Sequence, residues 1–323
     1  MNKMKYSKTS KRGLILATNT DLNSTNLNEI RRDINIGILS CRKCYQLTSI
    51  PIIESLVRLN CDNCTMLTSI PYLERLKTLS CSGCTMLTSI SNIIGLRELN
   101  CNNCSSLTFI PNIESLEKIY CSNCPLITSI PDIKSLRILS CSSCNLLTNI
   151  PHIDSLKKLH CNNLPLLTSV PNIFGLKELH CSNTNITSIP LLENLQILDC
   201  TECIFLKSIP NIKGLKKLYC NYSISLTSIP NIESLKILNC NNCTMLTSIP
   251  DVRNLETLDC SNCPWIEPDE EQINKLVRLQ QWFDRYLRRK RLEKLIKLVN
   301  MYWYSPDGPG GKSAIRRLNE NCL

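Results

Sequence analysis

The twenty residues 56–75, LVRLNCDNCTMLTSIPYLER, contain the pattern that decides the fold of this chain. The pattern recurs along most of the 323 residues at a spacing of twenty, and its eighth copy is one residue shorter. Its first leucine therefore returns at Leu56, Leu76, Leu96, Leu116, Leu136, Leu156, Leu176, Leu195, Leu215, Leu235 and Leu255. A unit of this length cannot bury an apolar face alone, so stacked neighbours must supply the core. The sequence therefore predicts a solenoid.

Each unit divides into a strand half and an extended half. Leu59 and Cys61 alternate with polar residues, as a strand with one buried face requires. The second half, Leu-Thr-Ser-Ile-Pro, is too short for a full helix. Its proline, as at Pro71, lacks an N–H and favours extended or polyproline geometry. We therefore expect the outer side of the solenoid to be mostly extended.

The unit L-x-x-L-x-C-x-x-C-x-x-L resembles the leucine-rich-repeat pattern, with cysteine at its third apolar position. Twelve units fit, from a degenerate first one at Ile36, Leu39 and Cys41 to a last one ending near Cys263. The resemblance implies a solenoid of the α/β-horseshoe class with a parallel β-sheet on its concave face. The short proline-bearing unit also looks like bacterial effector repeats. The near-identical cysteine-bearing units look like leucine-rich-repeat proteins of giant DNA viruses of amoebae.

Cysteine pairs mark most of the units. Nine of them carry Cys-x-x-Cys, at intervals that satisfy a four-cysteine zinc spacing. The first cysteine is present in every unit, whereas the second is replaced by Leu164, Thr184 and Ser223 in three of them. Leucine cannot bind zinc, while a thiol fills a buried column as a small apolar group. We therefore interpret the cysteines as structural thiols in a reducing compartment, with a structural zinc-binding repeat protein as the alternative.

The composition divides the chain into an array and two basic ends. Residues 1–35 hold seven Lys/Arg against three acids and are predicted to form a tail or a loose N-terminal cap. Residues 36–266 form the repeat array, and residues 267–323 a basic helical C-terminal cap and tail. Apolar residues at helical spacing predict one or two helices over residues 270–302.

The exposed strand positions change in character along the array. They are small and polar at both ends, whereas the middle collects aromatic, imidazole, aliphatic and charged side chains. Such a cluster suits a binding hot spot, although tyrosine and histidine also have good strand propensity. The predicted partner-binding residues are Tyr120, Lys158, His160, His180, Ile197, Asp199, Lys217 and Tyr219.

Two histidines and a carboxylate in this cluster also fit a metal-ligand set. His160, His180 and Asp199 match the two-histidine, one-carboxylate pattern. Metal ligands must converge on one point, whereas side chains in one column of a solenoid are expected to stack in a line. We therefore predict no metal site, no cofactor and no catalytic residues, and interpret the chain as a non-enzyme.

The function that these features predict is a non-catalytic scaffold that binds an unknown protein, a host-cell protein being one option, on its concave face. One alternative is a substrate-recognition adaptor of a ubiquitin-ligase complex. Nucleic acid is a poor fit despite the net charge of +10, because Glu98, Glu178 and Asp199 interrupt any basic stripe on the exposed face.

Localisation follows from what the sequence lacks. No segment approaches the roughly 18 apolar residues of a membrane span. The apolar run at Gly13–Ala17 is shorter than the core of a secretory signal. We therefore expect a non-secreted, intracellular protein, cytoplasmic or imported into the nucleus through the basic run Arg288, Arg289, Lys290 and Arg291.

Overall fold

The computed structural model describes residues 7–9, 14–16, 36–250 and 254–264. Its strands are short, and one recurs in every repeat unit. They are β1 (Ser7–Thr9), β2 (Leu14–Leu16), β3 (Ile38–Ser40), β4 (Arg58–Asn60), β5 (Ser69–Ile70), β6 (Thr78–Ser80), β7 (Ser89–Ile90), β8 (Glu98–Asn100), β9 (Lys118–Tyr120), β10 (Ile138–Ser140), β11 (Lys158–His160), β12 (Glu178–His180), β13 (Ile197–Asp199), β14 (Lys217–Tyr219), β15 (Ile237–Asn239) and β16 (Thr257–Asp259).

A parallel β-solenoid is the architecture of the described array. A fourteen-stranded sheet runs in the order β1-β2-β3-β4-β6-β8-β9-β10-β11-β12-β13-β14-β15-β16. All of these strands except β1 and β2 lie at the repeat positions, so twelve stacked strands are joined by eleven turns of chain. Strands β5 and β7 pair in a second, two-stranded parallel sheet. The predicted solenoid with a parallel sheet is confirmed.

The sheet continues past the first repeat into the N-terminal segment. Strand β2 pairs in parallel with β3, placing Leu14 opposite Ile38, and β1 pairs with β2 in antiparallel fashion. The division of the chain at residues 35/36 and 266/267 stays a prediction. The helices expected over residues 270–302 lie outside the described residues.

A left-handed turn ends the main strand of each unit. The residue before the second cysteine position has a positive φ throughout, between 54° and 60° at the non-glycine residues and 73° at Gly83. Most of these residues are asparagine, which tolerates the left-handed region better than other side chains. At Gly83 an added Cβ would meet the side-chain oxygen of Asn63, which would have to shift.

The core is a set of inward columns that run the length of the array. In the unit that starts at Leu56, the residues Leu59, Cys61, Cys64 and Leu67 are all at most 1% exposed. Ile and Leu positions of the second half complete the same cluster. The outer half is extended, and residues 36–250 and 254–264 contain no α-helix, as predicted. None of the described elements is a helix long and apolar enough to cross a membrane.

The second cysteine column bonds one turn of the solenoid to the next. Cys64 Sγ donates to the carbonyl oxygen of Cys41 at 3.0 Å, and Cys124 Sγ donates to that of Cys101 at 3.0 Å. A thiol that donates its S–H is protonated, whereas a zinc ligand is a thiolate. In the first cysteine column, burial raises the pKa of Cys161 well above its ordinary value. These contacts support structural thiols in the array.

Candidate functional site

The exposed face of the sheet carries the predicted partner-binding residues, which we call the central patch: Tyr120, Lys158, His160, His180, Ile197, Asp199, Lys217 and Tyr219. All eight are half-buried, because each flanks an inward-pointing strand residue. The parallel register places His160 beside His180, then Asp199 and Tyr219 on the next two strands. Tyr120 stands apart from this row, because Ser140 lies between it and His160.

Ion pairs across neighbouring strands neutralise part of the patch. Lys158 Nζ lies 2.9 Å from Glu178 Oε1, and His180 Nδ1 lies 3.5 Å from Asp199 Oδ2. Lys217 has no ion-pair partner among the residues that the structure describes. The patch is therefore amphipathic with balanced charge rather than strongly basic.

The two imidazoles of the patch are in contact. The ring centroids of His160 and His180 are 4.6 Å apart, with the ring planes tilted by 51°. Burial lowers the pKa of His160, and the positive charge that His180 can carry lowers it further. Both effects favour the neutral imidazole at His160, which is the form that binds metals and accepts hydrogen bonds.

Asp199 is held as a carboxylate beside these rings. Burial raises the pKa of Asp199, but hydrogen bonds from His180, Ser182 and Thr201 outweigh it and lower that pKa to about 2. Ser182 Oγ donates at 2.7 Å and the backbone N–H of Thr201 at 3.2 Å. Of the two ring nitrogens of His180, Nδ1 is the one that faces this carboxylate.

His160, His180 and Asp199 follow one another on three consecutive strands, whereas a different set of metal-type residues comes together. One ligand atom each from His160, Glu178 and His180 lies within 4.8 Å of the other two. The carboxylate of this group is Glu178, whereas the sequence pattern singled out Asp199. Glu178 and His180 share one face of β12 because they are two residues apart, a spacing that the sequence analysis did not use.

A second exposed surface was also missed by the sequence analysis. The position two residues after the second cysteine is apolar in most units and points outward, with 44% to 56% of each side chain exposed. We call this the apolar column: Met66, Met86, Leu126, Leu146, Leu166, Phe205 and Met245. Contiguous exposed apolar surface marks interaction sites in soluble proteins. Its signal in the sequence was the same twenty-residue spacing.

Several solved structures are similar to this chain. A leucine-rich repeat protein from Bacteroides ovatus is 17% identical with a TM-score of 0.42, and the match covers 80% of this chain and 90% of that one. The leucine-rich-repeat domain of the type III effector XopL is 16% identical with a TM-score of 0.39, and the match covers 76% of this chain and 82% of that one. The functional domain of InlJ from Listeria monocytogenes, which includes a cysteine ladder, is 20% identical with a TM-score of 0.37. That match covers 71% of this chain and 64% of the InlJ domain.

One family of repeat sequences matches part of this chain. A model that describes two copies of leucine-rich repeats matches residues 175–214, which lie in the middle of the array. Comparison with curated protein sequences found no match. The resemblance to repeats of giant DNA viruses receives no support from these comparisons. The matched residues resemble leucine-rich repeats, and the strand register and buried columns continue from them through the rest of the described array, which is a parallel β-solenoid.

Proposed function

We propose that this chain is a non-catalytic scaffold that binds a protein partner through the central patch. One observation carries the proposal: His160, His180, Asp199 and Tyr219 lie side by side on four consecutive strands. Aromatic and amphipathic side chains at the centre of a surface with a polar surround are typical of binding hot spots. Leucine-rich-repeat folds typically serve as scaffolds for protein–protein interaction.

The backbone beneath the patch supports this role. Each strand of the row is hydrogen-bonded on both sides in regular parallel register, and the leucine between the exposed positions is fully buried. A backbone held in this way loses little freedom when a partner binds, so that less free energy opposes association. The patch is therefore preorganised.

The charges of the patch indicate the chemistry of the partner. Lys158 and Glu178 already neutralise each other, as do His180, when protonated, and Asp199. Lys217 and Tyr219 lie on β14, the strand next to the one that carries Asp199. A complementary surface would offer apolar or aromatic groups with a few hydrogen-bonding groups. Its affinity should fall only weakly with salt, in contrast to the steep loss expected for nucleic acid.

Affinity capture from a lysate of the source cells, under reducing conditions and with mass-spectrometric detection, tests the proposal. The wild type is compared with a patch variant and with an apolar-column variant, each verified as folded by circular dichroism. The patch variant carries Tyr120→Ala, His160→Ala, His180→Ala and Tyr219→Ala. The apolar-column variant carries Met86→Ser, Leu126→Ser and Leu166→Ser.

The expected result is a protein retained by the wild type and by the apolar-column variant, and lost from the patch variant. Retention by the patch variant with loss from the apolar-column variant would overturn the proposal and assign binding to the apolar column. Ubiquitin-ligase subunits among the captured proteins would point to the adaptor role as the biological use of the same surface.

A further inference from the structure

We propose that His160, Glu178 and His180 bind a zinc ion on the exposed face of the sheet. This inference goes beyond the proposed function, because the three ligands belong to one chain and need no partner. Among the residues that the structure describes, this is the group of three metal-type side chains whose ligand atoms come together, each within 4.8 Å of the others.

The strand geometry explains why these three side chains meet. Neighbouring strands lie about 4.8 Å apart, and side chains two residues apart on one strand share a face. His160 and His180 are direct neighbours in the register of β11 and β12, and Glu178 lies two residues before His180. A tetrahedral zinc with ligands at about 2.1 Å needs ligand atoms roughly 3.4 Å apart. The ligand atoms, within 4.8 Å of one another, must therefore move closer by up to about 1.4 Å for the three side chains to hold the ion.

The surroundings orient the histidines as metal sites do. Asp199 Oδ2 lies 3.5 Å from His180 Nδ1, and metal-binding histidines commonly have a carboxylate near the ring nitrogen that does not hold the metal. No described residue forms a hydrogen bond with either ring nitrogen of His160. A neutral imidazole at this position has a lone pair available for a metal.

The type of metal follows from the donor set. Two imidazoles and one carboxylate suit zinc and neighbouring transition metals, whereas calcium and magnesium prefer oxygen ligands. Three protein ligands leave a fourth position for water or a further ligand. The cysteines that the structure describes, at residues 41–263, are buried and therefore do not compete for the ion in the folded array.

One feature of the site opposes the metal. Lys158 Nζ lies 2.9 Å from Glu178 Oε1, so an ammonium group already occupies one oxygen of the carboxylate. Zinc must bind the other oxygen or displace the lysine. Removing this charge should therefore tighten zinc binding, by roughly threefold to tenfold for a screened repulsion over several ångströms.

Zinc titration of the full chain by isothermal titration calorimetry, in a buffer with a phosphine reductant, tests the site. We expect one ion per chain for the wild type. Affinity should fall at least about tenfold in His160→Ala, His180→Ala and Glu178→Gln, and in Asp199→Asn through the loss of ring orientation. Lys158→Met should bind more tightly. His152→Ala is the matched control, because His152 is exposed and pairs with Asp154 outside the site.

Cobalt spectroscopy separates this site from the thiols. Co²⁺ bound by imidazole and carboxylate gives weak visible bands, whereas thiolate ligation adds an intense near-ultraviolet charge-transfer band. The proposal predicts the visible bands without the charge-transfer band, and their loss in His160→Ala. It is overturned by a wild type that binds no zinc, by zinc affinity unchanged in the double variant His160→Ala, His180→Ala, or by a thiolate band. Partner capture is repeated with a metal chelator present and is scored separately from zinc binding. Failure of the zinc site and failure of the partner-binding proposal can therefore be told apart.

Discussion

The Ser223 hydroxyl donates a hydrogen bond of 2.8 Å to the carbonyl oxygen of Cys200, one turn earlier in the solenoid. Cysteine thiols at the same position of other units form the same bond, as Cys124 Sγ does with the carbonyl of Cys101. Where this position holds cysteine or serine, the residue therefore acts as a buried donor between turns, whereas Leu164 has no donor and Thr184 bonds to Cys181 of its own turn. The choice between cysteine and serine matters less than the presence of that donor.

Substitution of Cys124 tests this donor role. Cys124→Ser should keep the bond to Cys101, whereas Cys124→Ala leaves that buried carbonyl unpaired and creates a small cavity. An unpaired buried group costs about 1–3 kcal/mol, so the serine variant should be the more stable of the two by about 1 kcal/mol. Urea unfolding of both variants measures this difference. Equal stability, or a more stable alanine variant, would contradict the donor role.

The buried thiols should make the protein sensitive to alkali. Burial raises the pKa of Cys141 and Cys161 above that of an unfolded thiol, which is about 8.5. A raised folded-state pKa contributes stability that is complete below the unfolded pKa and is lost as pH rises above it. The slope is about 1.4 kcal/mol per pH unit for each thiol that ionises only on unfolding.

The urea midpoint under reducing conditions should therefore be flat from pH 7 to about 8 and fall steeply towards about 9.5. The Cys141→Ala variant, which lacks one of these thiols, should lose stability less steeply over the same range. A wild-type midpoint that stays constant to the upper end of this range would show that the thiols are not held protonated by the fold.

The left-handed turn offers a stabilising substitution. Glu202 has a φ of 59° at the position where Asn183 of the preceding unit bonds to Asn163 through a side-chain ladder. Asparagine tolerates this backbone conformation better than glutamate. Glu202→Asn should raise the free energy of unfolding by about 0.5–1 kcal/mol. Glu202→Ala removes the same charge without that preference and should give no such gain in thermal or urea unfolding.

Substitution by alanine should destabilise the protein far more at an inward-pointing leucine than at an outward-pointing one. Leu156 is fully buried in the centre of the array, whereas Leu146 in the apolar column is 45% exposed. Leu156→Ala should destabilise the protein by about 2–5 kcal/mol through lost burial and a cavity. Leu146→Ala should change stability by less than about 0.5 kcal/mol. Similar losses for both in urea unfolding would contradict the assignment of inward and outward positions.

Much of the fold follows from spacing alone. Once Leu56 and its equivalents define the unit, the solenoid, the parallel register and the extended outer half follow, because each unit must stack on its neighbour. Strand β2 could not be predicted in this way. The run from Leu14 to Leu16 belongs to no repeat, and its pairing with β3 depends on the sheet edge that the array creates.

The site is less predictable than the fold. Strand alternation and register placed the central patch on one face, since both follow from the sequence period. The convergence of Glu178 with His160 and His180 depends on side-chain rotamers and on neighbours such as Lys158 and Asp199, which no periodic pattern specifies. The apolar column was visible in the sequence but was not separated from the buried positions beside it.

The most direct measurement of the central claim is the affinity of the captured partner for the wild type, the Tyr219→Ala variant and the apolar-column variant. Tyr219 lies in the patch outside the proposed zinc ligands, so its loss reports on partner binding alone. A hot-spot tyrosine contributes at least about 2 kcal/mol, and Tyr219→Ala should therefore weaken binding by roughly 30-fold. The apolar-column variant should bind as the wild type does. Unchanged affinity in Tyr219→Ala together with weakened binding by the apolar-column variant would contradict the account.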